Sequence, residues 1–91
     1  MNRYIIEFLG TALLTFTIFW TSNWLAIGAV LAIAVLLGGE ISGGAYNPAV
    51  TFALYHAGKL QKSEVVPYII AEILGGLAGF YMYKKFVNKA L

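Results

Sequence analysis

Asn47 and the two carboxylates Glu7 and Glu72 offer more chemistry than any other residues in this chain, and all three lie in or beside apolar sequence. Asn47 precedes Pro48, and Asn at an N-cap with Pro at the first helical position is a strong helix-start signal. Capping engages the Asn47 side-chain oxygen and leaves its NH2 free to donate. The helix N-terminus behind it adds partial positive charge, which disfavours cations and hydronium. This chemistry suits the holding of a neutral, hydrogen-bonding solute. Glu7 and Glu72 stand inside long apolar runs, where acids are rare and usually functional. Measured from one common surface, Glu7 sits about 5 Å and Glu72 about 10 Å along its run. That match in depth favours carboxylates that accept N–H groups from a loop between them and fix its shape. Proton coupling at Glu7 is the competing reading.

Bond-making chemistry has nothing to work with. There is no cysteine, no aspartate and one histidine, His56. Thiolate metal sites, disulfides and cysteine nucleophiles are therefore excluded, and no phosphate-cradling or activated-serine motif is present. Neither an enzyme nor a cofactor is expected, and His56, near a helix end, is expected at a membrane interface. The net charge of +2 does not indicate nucleic acid, because Arg3, Lys59, Lys62, Lys84, Lys85 and Lys89 lie near the chain ends and in one short loop.

The elements that must position these groups follow from hydropathy. Hydrophobic residues make up 60% of the 91, and ten more are glycine; glycine included, an ordinary soluble domain reaches only about 45–50%. So small a soluble chain could not hide that much apolar surface, which makes this an integral, multi-pass membrane protein. Spans are expected at about 4–22, 24–39 and 65–83, within a single domain, 1–91. The first reads as a span and not a cleaved signal, since Glu7 lies inside it and no small-x-small site follows. Trp20 and Trp24 bracket a short polar turn, as aromatics do at a membrane interface. Pro67 is placed in the first turn of the last helix, and Lys84 and Lys85 close it.

The segment from about 41 to 58 is different. It opens as a glycine-rich loop and continues from Asn47-Pro48 as a helix that Gly58 stops. About ten helical residues reach 15 Å, half of a roughly 30 Å hydrocarbon core. The segment is predicted to be re-entrant, and irregular backbone at that depth is tolerated only inside protein or along a water-filled cavity. The carbonyls of Ser42, Gly43, Gly44, Ala45 and Tyr46 then form a ladder of acceptors that replaces part of a solute's hydration. Gly75, Gly76 and Gly79 share a helix face with Glu72 and allow a close helix approach.

Ser42-Gly-Gly-Ala-Tyr-Asn47-Pro48-Ala49-Val50-Thr51 resembles the Asn-Pro-Ala signature loop of the aquaporins and glycerol facilitators. Glu7-Phe-Leu-Gly-Thr11 resembles that family's first-helix motif, and Ala71-Glu72-Ile-Leu-Gly75-Gly76 its third helix, where Gln is commoner than Glu. The three motifs stand in the family's order and cover essentially the whole chain. Family members carry two such halves in inverted orientation; here there is one. The resemblance implies an all-α membrane fold of three transmembrane helices and one re-entrant half-helix, half of the aquaporin fold. It also implies a passive channel for water or small neutral solutes such as glycerol. Glu7 and Glu72 become the loop-supporting carboxylates, and Glu40, where many relatives have His, falls at the pore mouth. Counted from the motif, the selectivity constriction falls at Ile27, Val35, Gly44 and Val50. Val50 matches the first-half signature, and no arginine is available for the filter position that the second half usually supplies.

One half-helix builds half a pore, whose polar wall lipid cannot satisfy, so an inverted second copy is expected to complete it. Arg3, Lys59 and Lys62 fall on one surface and Lys84, Lys85 and Lys89 on the other, which gives no orientation preference and suits dual topology. The resemblance extends this antiparallel homodimer to four dimers, an octamer. The other expected partners are membrane lipid and the permeating water or small neutral solute, and nucleic acid is not expected. Two other readings compete: a proton-coupled small dual-topology exporter using Glu7, and a non-conducting membrane subunit or fragment of a longer channel.

Overall fold

A computed structural model describes residues 2–91 as four helices: α1 (Arg3–Trp20), α2 (Trp24–Ser42), α3 (Pro48–His56) and α4 (Lys62–Phe86). No strand occurs among the described residues. Three of the helices begin on an asparagine cap. Asn2 Oδ1 accepts from the Tyr4 amide at 2.6 Å, Asn23 from Leu25 and Ala26 at 2.9 Å, and Asn47 from Ala49 at 2.8 Å. Each cap satisfies donors that the first helical turn leaves orphaned. Helix α4 uses a capping box instead, in which the Gln61 amide donates to Glu64 Oε1 at 3.0 Å.

Helix α1 stops at Trp20, two residues before the expected end, and α4 runs to Phe86, three beyond it; two further boundaries differ as well. Helix α2 runs past Gly39 to Ser42 and ends where Gly43 takes φ 88° and donates to the Gly39 carbonyl at 2.8 Å. The glycines at 38 and 39 do not break it, because Gly38 serves packing: a Cβ there would collide with the Tyr46 hydroxyl and come within 2.6 Å of Ile6 Cγ2. Helix α4 begins at Lys62, which moves Pro67 into its second turn. The proline leaves the Ser63 carbonyl without its helical partner on an exposed turn, where water can replace it.

Helices α1, α2 and α4 are each long and apolar enough to cross a membrane, with 18, 19 and 25 residues. The nine residues of α3 reach about 14 Å and cannot. Helices α1 and α4 run parallel. Arg3 pairs with Glu64 at one end, and Phe19 packs on Phe80 and Tyr83, centroids 5.2 and 5.8 Å apart, at the other. Helix α2 returns antiparallel beside α1, and α3 leans on α4. Arg3 and Lys59 border one cavity at the first end, and Lys84, Lys85 and Lys89 gather at the opposite end.

The usual arrangement of polarity is reversed. The exterior carries Trp24, Leu36, Leu37 and many other large apolar side chains, while the buried set includes Glu7, Thr11, Thr17, Ser42, Thr51 and Glu72. Lipid solvates the outside, so polar groups must find partners within. An apolar cluster of Leu60, Val65 and Tyr68, joined by Tyr4, sits at the Arg3 end. Elsewhere α1 and α4 meet almost backbone to backbone. A Cβ on Gly75 would collide with the Phe8 carbonyl oxygen, and one on Gly79 with that of Ala12, whereas at Gly76 the nearest atom is Thr15 Oγ1 at an ordinary 3.7 Å.

Gly75→Ala should therefore force the helices apart and destabilise the protein by about 1–3 kcal/mol. Gly76→Ala should be neutral or slightly stabilising, because alanine has the better helix propensity. Unfolding in mixed detergent micelles compares the two directly.

Candidate functional site

Between α2 and α3 the chain makes a turn that only a few residue types permit. Gly43, Gly44 and Tyr46 all have positive φ, at 88°, 63° and 51°. For the two glycines this is free of strain; for Tyr46 it costs about 1–2 kcal/mol. Three contacts over-determine Tyr46. Its amide donates to Glu7 Oε1 at 2.8 Å, its hydroxyl donates to the Ala34 carbonyl at 2.6 Å, and its ring lies where side chains on Gly10 and Gly38 would otherwise stand. The Tyr46 side chain is thus a buried wedge between α1 and α2, and any role of this residue in a pore falls to its backbone.

Glu7 organises the turn. Fully buried, it accepts Ser42 Oγ at 2.6 Å and the Ala45 amide at 3.2 Å on Oε2, and the Tyr46 amide on Oε1. Ser42 Oγ in turn accepts the Gly44 amide at 3.2 Å. With Gly43 bonded to Gly39, every amide from Gly43 to Tyr46 is satisfied by the body of the protein. Among the described residues no donor reaches the carbonyls of these same four residues. A backbone with its donors spent and its acceptors free is what the expected ladder requires. Ser42 differs from its four neighbours. It is the last residue of α2 instead of loop, and its carbonyl already accepts the Tyr68 hydroxyl at 2.8 Å.

The second carboxylate holds the half-helix. Glu72 Oε2 accepts Thr51 Oγ1 at 2.6 Å, and both residues are buried. Glu7 thus fixes the loop and Glu72 fixes α3, one acid for each part of the re-entrant segment. At their junction Asn47 caps α3 through Oδ1 and, with Pro48, Ala49 and Val50, lies exposed on the surface of the single chain.

The four constriction positions do not converge within one chain. Val35 packs beside Gly44, its Cγ2 at 3.4 Å from where a Cβ would stand, and Val35 and Val50 are both exposed. Ile27 lies eight residues from Val35, about 12 Å along α2. Glu40 is exposed near the end of α2, and exposed His56 bonds only its own helix, Nδ1 to the Phe52 carbonyl at 2.8 Å. No group of metal-ligating side chains occurs among the described residues.

Three supports escaped the sequence reading: Thr51, Tyr68 and the Gly10–Gly38 cradle. Two had a signal. Ala34, Gly38 and Ser42, the buried residues of α2, recur at a spacing of four on an otherwise apolar helix, and Tyr68 lies one turn before Glu72 on the same face. Thr51 had none beyond being polar in an apolar helix.

The Major intrinsic protein family profile matches residues 1–90. Glycerol uptake facilitator protein-like 6 of Lactiplantibacillus plantarum is 35% identical over 97% of this chain and 45% of its own length. Aquaporin Z of Photorhabdus laumondii is 43% identical over 58% of the chain and 23% of its own. Aquaporin AqpM of Methanothermobacter marburgensis is 42% identical over 70% and 26%. The chain spans about half the length of the first of these relatives and about a quarter of the other two. No solved structure gives a significant match. With an all-helical half-repeat of three spans and a re-entrant half-helix now joined to these matches, the chain is an integral membrane protein belonging to the Major intrinsic protein family.

Proposed function

We propose that this chain is half of a passive channel for water and small neutral solutes such as glycerol, with the pore formed between two antiparallel copies. One observation carries the reading: four loop carbonyls without donors lead to a capped half-helix whose Asn47 NH2 remains free and whose first residues, Asn47 to Val50, lie exposed. Such a wall suits a solute that both donates and accepts, and it cannot face lipid. A second copy, turned over about a two-fold axis in the membrane plane, would cover it and supply the missing half. The even division of basic residues between the two surfaces fits insertion in both orientations. The family resemblance extends the assembly to four dimers. The names of the relatives, aquaporin and glycerol uptake facilitator, support the solute class.

The exporter reading loses its strongest residue. Glu7 is sealed from solvent with both oxygens taken by loop donors, so it faces no transport path. In the dimer, each constriction would combine Ile27 of one copy with Val35, Gly44 and Val50 of the other. No polar side chain lines it, and selectivity would rest on loop carbonyls and half-helix dipoles.

Stopped-flow entry of water and glycerol into proteoliposomes tests the channel. Both should pass without dependence on a proton gradient; flux that needs the gradient would point to the exporter, and no flux to a non-conducting subunit or fragment. A C-terminal tag should be found on both sides of native membranes, and detection on one side alone would refute dual topology. Asn47→Asp should reduce neutral-solute flux and admit an ion leak, since it replaces a donor with negative charge between the half-helix ends. Val50→Arg should narrow and polarise both mouths, cutting glycerol entry more than water entry. Unmodified protein that passes water but excludes glycerol would overturn this view of the filter.

A further inference from the structure

Glu72 carries an unexplained atom. Its Oε2 accepts Thr51 Oγ1, but Oε1 is buried and receives no donor. The residue is 2% exposed, so bulk solvent does not reach it. Gly75, one helical turn after Glu72, packs against the Phe8 carbonyl, so Glu72 faces the stretch of α1 that carries Glu7, and its neighbour there is the Glu7 carboxyl, another acceptor. Two ionised acids in contact, in the interior of a membrane protein and with no cation beside them, repel strongly and forfeit solvation.

The elements packed around the pair supply no compensating charge. Helix α1 offers Glu7 and the Thr11 hydroxyl, which is itself buried without a partner. The Ser42 hydroxyl on α2 is committed to Glu7, and Glu40 on that helix is exposed. The start of α3 brings Thr51 and the Asn47 backbone amide. On α4 the Tyr68 hydroxyl is spent on the Ser42 carbonyl. Arg3 pairs with Glu64 at the surface, and Lys59 is exposed. Among the described residues no positive charge reaches the pair.

We propose that Glu7 and Glu72 hold one proton between them, carried on Glu72 Oε1 and donated to the Glu7 carboxylate. The location follows from the hydrogen bonds. Both oxygens of Glu7 already accept from the loop, so a proton there would displace the Tyr46 amide or the Ser42 and Ala45 donors. On Glu72 Oε1 the proton displaces nothing and turns an orphaned acceptor into a donor aimed at an anion. The carboxylic acid then closes a continuous chain from Thr51 on the half-helix, through Glu72 and Glu7, to the amides of Ala45 and Tyr46. The proton clamps the half-helix to the loop, with Glu72 as a positioning residue. Loss of the proton would leave two like charges at the joint between them.

Glutamine at position 72 supplies the same donor and acceptor with no proton to lose, and this yields the test. In the full chain reconstituted in lipid, infrared spectra at neutral pH should show the carbonyl stretch of a buried, protonated carboxylic acid, and Glu72→Gln should remove it. Absence of that band from the unmodified protein, or its persistence in Glu72→Gln, would overturn the proposal. So would failure of Glu72→Gln to assemble, because the amide makes the same bonds. The flux arm rests on the channel reading, whereas the infrared arm does not. Water flux through the unmodified protein should fall severalfold, and reversibly, over whatever pH range the infrared band is lost, while Glu72→Gln keeps its flux over that range. An equal decline in both proteins would overturn the clamp. If neither conducts at all, the channel reading fails while the infrared band still decides where the proton resides.

Discussion

The bonds from the Glu7 carboxylate to Ser42, Ala45 and Tyr46 are the interaction on which the rest of this structure depends. A backbone that turns inside a membrane cannot bond itself as a helix does, and lipid offers no substitute. Its amides need an acceptor with several lone pairs in one place, and the Glu7 side chain provides them. Burying so polar a group is costly unless its acceptor sites are filled, so acid and loop stabilise each other only together. The positive φ of Tyr46 belongs to the same arrangement. It turns that amide toward Glu7, and its strain is offset by the bond gained there and by the hydroxyl bond to Ala34.

The helix packing follows from this. Glu7 can reach the loop from α1 only if α2 lies close enough for the loop to fold back onto it, and small residues on both helices allow that. Gly10 on α1 and Gly38 on α2 leave a slot that the Tyr46 ring fills. Lipid tails are as apolar as leucine, so the helices are not driven together by a hydrophobic core; close van der Waals contact and internal hydrogen bonds do the work. Gly75 and Gly79 supply the contact between α1 and α4, and Glu72 with Thr51 ties α3 to that same helix.

The sequence exposed the parts of this arrangement that are local. Three spans, the Asn47-Pro48 start of the half-helix and the two buried acids were legible because each rests on a run of residues or a dipeptide signal. The parts that depend on approach through space were not. Gly38 and Gly39 read as the end of a helix, because the ring that justifies Gly38 comes from Tyr46, eight residues on. Ser42 read as loop for the same reason, since its hydroxyl and carbonyl are claimed by α1 and α4. Pro67 read as a first-turn residue because the capping box at Gln61 and Glu64 is too weak a pattern to outweigh a proline five residues into the helix.

A pore built from two identical halves carries a constraint that a pore made in one chain escapes. When two different repeats share a chain, one filter can hold an arginine while the other end stays neutral. When one chain supplies both halves, every filter residue appears at both mouths. A fixed positive charge would then narrow both, and near a surface it would also enter the balance of basic residues that lets the chain insert in either direction. Selectivity and topology are coupled, and a neutral residue satisfies both. In the dimer proposed above, Val50 at the filter position, with three basic residues toward each surface, would be the composition that this coupling favours. Exclusion of ions is then left to groups that carry no net charge. The half-helix dipole and the Asn47 amide are such groups, and both are independent of which way the chain faces.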